Sequence, residues 1–164
     1  GSTTVGLLTT TAAQPARLSR VLTTSALNVR PDGGGRLLLQ ALDLDQHADP
    51  GQPPGPGDPL AGEVVRRLPE VLGGTEGTVA ERVRVGRRAM PADGRTVAGF
   101  ADRDGRFYVL ATHSGITLAP LLAELATQEL YGTDAAMLRD FRPDRFAPGT
   151  PFEALQPARR PGEQ

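Results

Sequence analysis

FYVLATHSGITLAPLLAELATQEL, residues 107–130, decides how this chain is read, because an apolar strand runs through a small-residue turn into an amphipathic helix. Leu118, Leu121, Leu122 and Leu125 recur at core spacing. Thr117 stands where an N-cap is expected, Pro120 falls in the first turn, and Gly132 marks the stop. Such a unit aims a helix N-terminus at whatever lies beyond the strand. Its free N–H groups and dipole favour an anion or electron-rich ligand there by roughly 0.3–1 kcal/mol. Phe107 and Tyr108 alternate along the strand, which assigns one to the core and the other to a layer above it.

A chain of 164 residues suffices for one domain or a large part of one. The 18 basic and 19 acidic residues leave a net charge of −1, so no positive field gathers phosphate backbones and nucleic acid is not an expected partner. Every cation is Arg. The absence of Lys removes Schiff-base chemistry and a P-loop, and the absence of Cys removes disulfides, thiol nucleophiles and thiolate metal sites. His47 and His113 are the two histidines. His47 lies beside a polar loop and reads as solvated, and no convergent carboxylate spacing supports a metal. No apolar run approaches a membrane span and the first residues lack a basic signal flank, so the sequence reads as a soluble, cytoplasmic protein without a membrane partner.

Residues 4–10 read as a strand ending at Gln14-Pro15. Residues 25–29 and 35–42 flank Arg30-Pro31-Asp32-Gly33-Gly34 and read as a hairpin, in which Gly33-Gly34-Gly35 is turn chemistry. The Pro/Gly-rich segment 49–59 is a surface loop. Asp58 then caps a short amphipathic helix over 59–68, with Pro59 at its first position and Leu60, Val64 and Leu68 on one face. Residues 78–85 alternate as a half-exposed strand that leads into a turn at Met90–Gly94, and Asp93-Gly94 is turn chemistry. A short strand at 96–100 and a polar turn at Asp102–Gly105 precede the decisive strand. From Arg139 onward core-forming residues are few, and the last eight residues read as disordered.

Two blocks, RRAMPADGRTVAGF at 87–100 and ATHSGITLAPLLAELATQEL at 111–130, resemble in order and separation the C-terminal part of FAD-dependent amino-acid and amine oxidoreductases, the superfamily of D-amino-acid oxidase, glycine oxidase and sarcosine oxidase. NVRPDGGGRLLLQ at 28–40 resembles that family's substrate-domain hairpin, and FRPDRF at 141–146 its C-terminal ending. The family opens with a strand–GxGxxG–helix unit for the cofactor pyrophosphate, and nothing of that kind occurs in this sequence. The resemblance therefore implies an α+β partial fold. Residues 1–100 would supply an antiparallel substrate-domain sheet, 101–132 a C-terminal strand–helix unit that completes a Rossmann-like FAD-binding domain, and 133–164 an extension.

The resemblance also implies FAD as cofactor, a small amine or amino-acid substrate, and an N-terminal FAD-binding half as a second chain or missing segment. The expected activity is hydride transfer from an amino acid or secondary amine to flavin; the alternative is a non-catalytic binding or assembly module derived from the same fold. His113, Ser114, Gly115, Ile116, Thr117 and Leu118 would contact the flavin, where a helix N-terminus stabilises negative charge on the reduced ring. By its local chemistry alone, Gly115 equally permits a tight strand-to-helix turn. His113 would tune the flavin, carry a proton, hold a covalent flavin link or donate a plain hydrogen bond. Arg88 occupies the arginine of the family's G-x-R-P block, with Gly86 matching and Ala89 replacing the proline, and would grip a substrate carboxylate. The alternative for Arg88 is an exposed strand arginine such as Arg82 and Arg84.

Overall fold

Val5–Thr11, seven residues rich in β-branched side chains, form β1, the strand on which the first half of the molecule is assembled. The computed structural model describes residues 5–151. It divides them into two units, the first ending at Arg88 and the second beginning at Ala89.

In the first unit β1 is flanked by β4 (Leu37–Gln40) and β5 (Ala80–Arg87), both antiparallel to it. With β2 (Leu22–Thr23) and β3 (Asn28–Pro31) this gives one five-stranded sheet in the order β2-β3-β4-β1-β5. The expected hairpin is present as β3–β4. Gly33, Gly34 and Gly35 all take positive φ in its turn, the conformation that glycine alone adopts without strain. Ser25 is not in the strand: the Thr24 hydroxyl accepts the N–H groups of Ala26 and Leu27, so side-chain chemistry folds 24–27 into a turn and delays β3 to Asn28. The expected strand at 78–85 runs two residues further, to Arg87, because β1 offers it partners along its whole length, while Val79 stays outside it and 60% exposed.

One face of the sheet packs on helices. Asp58 caps α2 (Pro59–Arg66), its carboxylate accepting the Leu60 N–H at 2.8 Å, with Pro59 at the first position as the sequence suggested. Pro69 does not abolish helix but displaces it: Leu68 opens a separate turn, α3 (Leu68–Val71). Val64, Val65 and Leu68 pack with Val5, Leu7, Val29, Leu37 and Leu39 in one core. A further short helix that the sequence reading does not contain, Leu42–Asp45, precedes α2 in the chain and is here α1.

In the second unit β6 (Val97–Phe100) pairs antiparallel with β7 (Tyr108–Ala111). Asp102 closes their turn by accepting the N–H groups of Arg106 and Phe107. Phe107 is exposed and Tyr108 half-buried, so of the two alternating aromatics it is Tyr108 that faces inward. Helix α4 (Gly115–Leu130) follows with Ser114, not Thr117, at its N-cap, which puts Thr117 inside the first turn and Pro120 in the second. Leu122 and Leu125 are buried as expected, whereas Leu121 is 42% exposed. Gly132 ends the helix at positive φ, with Thr133 N–H bonded to Gln128 O and Gly132 N–H to Glu129 O, a Schellman arrangement.

The segment after α4 contributes more than its composition suggests. Two 3-10 turns, Ala136–Phe141 and Pro143–Phe146, bring Leu138 into the core with Ala98, Leu122 and Leu125. Arg142 forms a two-point pair with the Glu129 carboxylate, one contact at 2.7 Å, and Tyr108 donates its hydroxyl to the same carboxylate at 2.8 Å. Arg145 pairs with Asp93 at 2.7 Å, so Asp93 anchors the tail as well as shaping a turn. The eight terminal residues expected to be disordered lie outside the described residues, as does Thr4.

Burial pushes the Tyr108 hydroxyl up to about 12, reinforced by the Glu129 carboxylate. Burial works to raise Glu129 too, but the Arg142 and Tyr108 donors outweigh it and hold the carboxyl below its ordinary value. Arg142→Ala is expected to cost the second unit about 2 kcal/mol, read as a lower urea midpoint at pH 7. A carboxyl whose folded pKa is depressed stabilises above its unfolded pKa and ceases to do so as pH falls through the folded value. The wild-type and Arg142→Ala unfolding curves should therefore converge in acid.

Candidate functional site

The β1–β5 register decides what stands on the sheet face that α2 leaves open. Gly6 faces Gly86, Leu8 faces Arg84 and Thr10 faces Arg82 across the pair, while Leu38 and Gln40 continue the same face on β4 and Arg30 and Asn28 on β3. Arg88 follows one strand repeat after Gly86 and so returns to this face. Three sequence-distant elements thus meet: the start of β1, the end of β4 with α1, and the residue after β5.

Arg88 is neither a free strand arginine nor an empty cation there. Its Nη2 donates to the Val5 carbonyl at 2.5 Å and to Asp45 Oδ2. Asp45 is 5% exposed, and its Oδ1 accepts the Leu7 N–H at 2.7 Å while Oδ2 also accepts Gln40 Nε2 at 3.0 Å. The Arg88 side chain lies against Gly6, where a Cβ would stand 3.2 Å from Nε. Glycine is what lets a guanidinium lie on the strand at this point. Two buried polar atoms without a partner among the described residues, Arg88 Nε and Asn28 Oδ1, belong to this face. Arg82 pairs with Asp32 at 3.3 Å, and Arg84 is exposed.

α1 carries Asp45 in place because its other acid is gripped separately. Arg67 forks onto Asp43 at 2.8 and 2.9 Å and reaches Ala26 O at 3.1 Å. The Arg67 guanidinium holds the Asp43 carboxyl below its ordinary value. Burial pushes the Asp45 carboxyl above its ordinary value, and the donors from Leu7, Arg88 and Gln40 offset that only in part.

In the second unit the expected cofactor contacts are consecutive and mostly open. Ser114 through Thr117 are exposed, Ile116 at 97%, and His113 and Leu118 are half-buried. The first intrahelical bond runs from Leu118 N–H to Ser114 O, which leaves the Gly115, Ile116 and Thr117 N–H groups without a partner among the described residues. The Ser114 side chain makes no capping bond, and a Cβ at Gly115 would approach only Thr112 Cγ2, at 4.0 Å. Thr112 Oγ1 accepts the Ser114 N–H at 3.3 Å and meets Thr96 Oγ1 at 3.0 Å, which fixes the turn from below.

His47 is exposed, with Nε2 3.5 Å from Gln46 Nε2. Among the described residues there is no group of three or more His, Asp or Glu side chains placed to hold a metal ion, and no helix is long and apolar enough to cross a membrane. Asp45, Gln40 and Gly6 were not found by reading the sequence; the Arg-Gly alternation near residue 86 gave no sign of which strand would lie beside it.

The profile of a family described as DAO, FAD dependent oxidoreductase, matches residues 4–129. No curated protein matches the chain. Among solved structures, glycine oxidase from Geobacillus kaustophilus is similar in fold, with a TM-score of 0.64 at 21% identity over 84% of this chain and 37% of that one. The chain spans little more than a third of that oxidase.

The raised Asp45 value has a definite sign. A group whose folded pKa exceeds its unfolded one adds stability below the unfolded pKa and loses it as pH rises through the folded pKa. Asp45→Asn should therefore flatten the loss of first-unit stability as pH rises through and just above the usual carboxylate range, measured by urea unfolding at a series of pH values.

Proposed function

The chain belongs to the FAD-dependent oxidoreductase family, and from that premise we propose that it is the substrate-sheet and C-terminal portion of a flavoenzyme that oxidises an amino acid or secondary amine. The observation that carries this reading is the match across residues 4–129, which takes in both the sheet bearing Arg88 and the strand–helix turn at Ser114.

FAD is the cofactor of the family, and the residues present suit one part of it. Three N–H groups at the α4 N-terminus that have no partner among the described residues, over a glycine with open space around it, suit the acceptor edge of a flat, electron-rich ring. Ser114, Gly115, Ile116, Thr117 and Leu118 would line that edge, and His113 would border it. No described residues suit the pyrophosphate: Gly33, Gly34 and Gly35 are spent on the β3–β4 turn. The flavin, when bound, supplies the hydride acceptor. Arg88 would bind the substrate carboxylate and so orient the α-carbon, and His113 would donate a hydrogen bond near the ring.

A complementary polypeptide carrying the dinucleotide fingerprint is part of the proposal. Phe107, Leu110, Ile116 and Leu121 are exposed on β7, the segment before it and α4, which is apolar surface that a partner would cover. The partner is either a second chain or a segment continuous with this one. If this surface instead serves a binding module without chemistry, no flavin accompanies the chain and no amine is turned over.

The test is oxidation of a panel of amino acids and neutral amines by the flavin-loaded assembly. Arg88→Ala should raise KM for carboxylate-bearing substrates about ten- to a hundredfold, the size of one lost charge-assisted hydrogen bond, and leave neutral amines nearly unaffected. Equal effects on both classes would remove Arg88 as the carboxylate contact.

A further inference from the structure

The Arg88 guanidinium has three nitrogens, and the first unit leaves them in three different conditions. Nη2 is held by the Val5 carbonyl and by Asp45. Nε is buried against Gly6 without a partner among the described residues. Nη1 makes no hydrogen bond among the described residues and is not among the buried unpartnered atoms, and the side chain as a whole is 22% exposed. A fork onto a carboxylate needs two adjacent free nitrogens. Only one is open here.

Asp45 is built in as the holder of this arrangement. It is nearly fully buried, the Leu7 N–H and Gln40 amide fix its two oxygens, and Arg67 anchors its helix through Asp43. Pushing it aside would strand a buried carboxylate away from its donors, which is far more costly than keeping it. An incoming carboxylate therefore meets Arg88 with Asp45 still in place.

Resting on the reading of Arg88 as the carboxylate contact, we infer that Asp45 is a positioning residue: it pins the Arg88 guanidinium over Gly6 and leaves Nη1 as the single nitrogen that receives a substrate carboxylate. The grip is one-point, and it depends on Asp45 without Asp45 touching the substrate. The pair also offsets the arginine's charge locally, so the site selects by hydrogen-bond geometry more than by net attraction.

The experiment uses the full chain, with acetate as the probe and the arginine Nε–Hε and Nη signals in NMR as the readout, Arg88 being assigned by its disappearance in Arg88→Lys. In the wild type, rotation about the Arg88 Nε–Cζ bond should be slowed and acetate should shift the Nη1 signal. Asp45→Asn, which keeps the shape of the side chain, should free that rotation and weaken acetate about tenfold, and Asp45→Glu should recover part of the affinity. Gly6→Ala tests the same device with Asp45 intact, since its Cβ intrudes on Nε, and should also free the guanidinium and weaken acetate. Slow rotation that persists in Asp45→Asn, or acetate affinity that is unchanged or rises, overturns the inference. Acetate shifts that survive in Arg88→Lys overturn instead the reading of Arg88 as the contact, whatever Asp45 does to its rotation.

Discussion

Everything distinctive in the first unit depends on the antiparallel pairing of β1 with β5, two strands some seventy residues apart in the chain, from Val5 against Arg87 to Thr11 against Ala80. The register fixes which face each residue takes, and a slip by one would exchange the two faces along the whole length. In the observed register Leu7 and Val85 enter the core with α2, while Gly6, Gly86 and Arg88 turn to the open face. The same pairing directs the Leu7 N–H to Asp45. Sheet, core and charged cluster are one consequence of that register.

The two faces then do different work. The covered face is largely apolar, with Val64, Val65 and Leu68 closing it and Thr9 the buried polar exception opposite Leu39 and Val83, and it holds the sheet together through burial. The other face sets Arg30, Arg82, Arg84 and Arg88 beside Leu8 and Leu38, and there Arg88 Nε and Asn28 Oδ1 are buried without a partner among the described residues, which costs stability. In the second unit the corresponding division is between Leu122, Leu125 and Leu138, packed with Ala98, and the exposed first turn of α4. Arg142 and Arg145 tie the chain's later turns to Glu129 and Asp93, and the first turn of α4 is exposed among the described residues.

Local chemistry was legible in the sequence wherever the cause was local. Asp58 with Pro59 announced the start of α2, the three glycines announced the β3–β4 turn, and Gly132 announced the end of α4. Family resemblance supplied the α+β class and FAD, which no periodicity contained. What the sequence did not disclose were effects set by partners far away in the chain. Arg88 carries no local sign that Asp45, 43 residues earlier, would meet it, nor do Arg142 and Arg145 announce the carboxylates they pair with. Thr117 looked like a cap because hydroxyl residues cap helices, yet the strand ended early enough for Ser114 to take that position. The short α1 was hidden because four residues carry too little periodicity to be told from a loop.

We propose above that this chain forms one part of a flavin-dependent oxidoreductase whose pyrophosphate-binding portion lies in other polypeptide. Native mass spectrometry of the chain purified from its own source, with the flavin absorption spectrum taken on the same sample, tests it most directly. The expected result is a yellow assembly whose mass exceeds these 164 residues by that of a polypeptide bearing a dinucleotide fingerprint and one FAD. A colourless chain of 164 residues, without flavin or accompanying polypeptide, would contradict it.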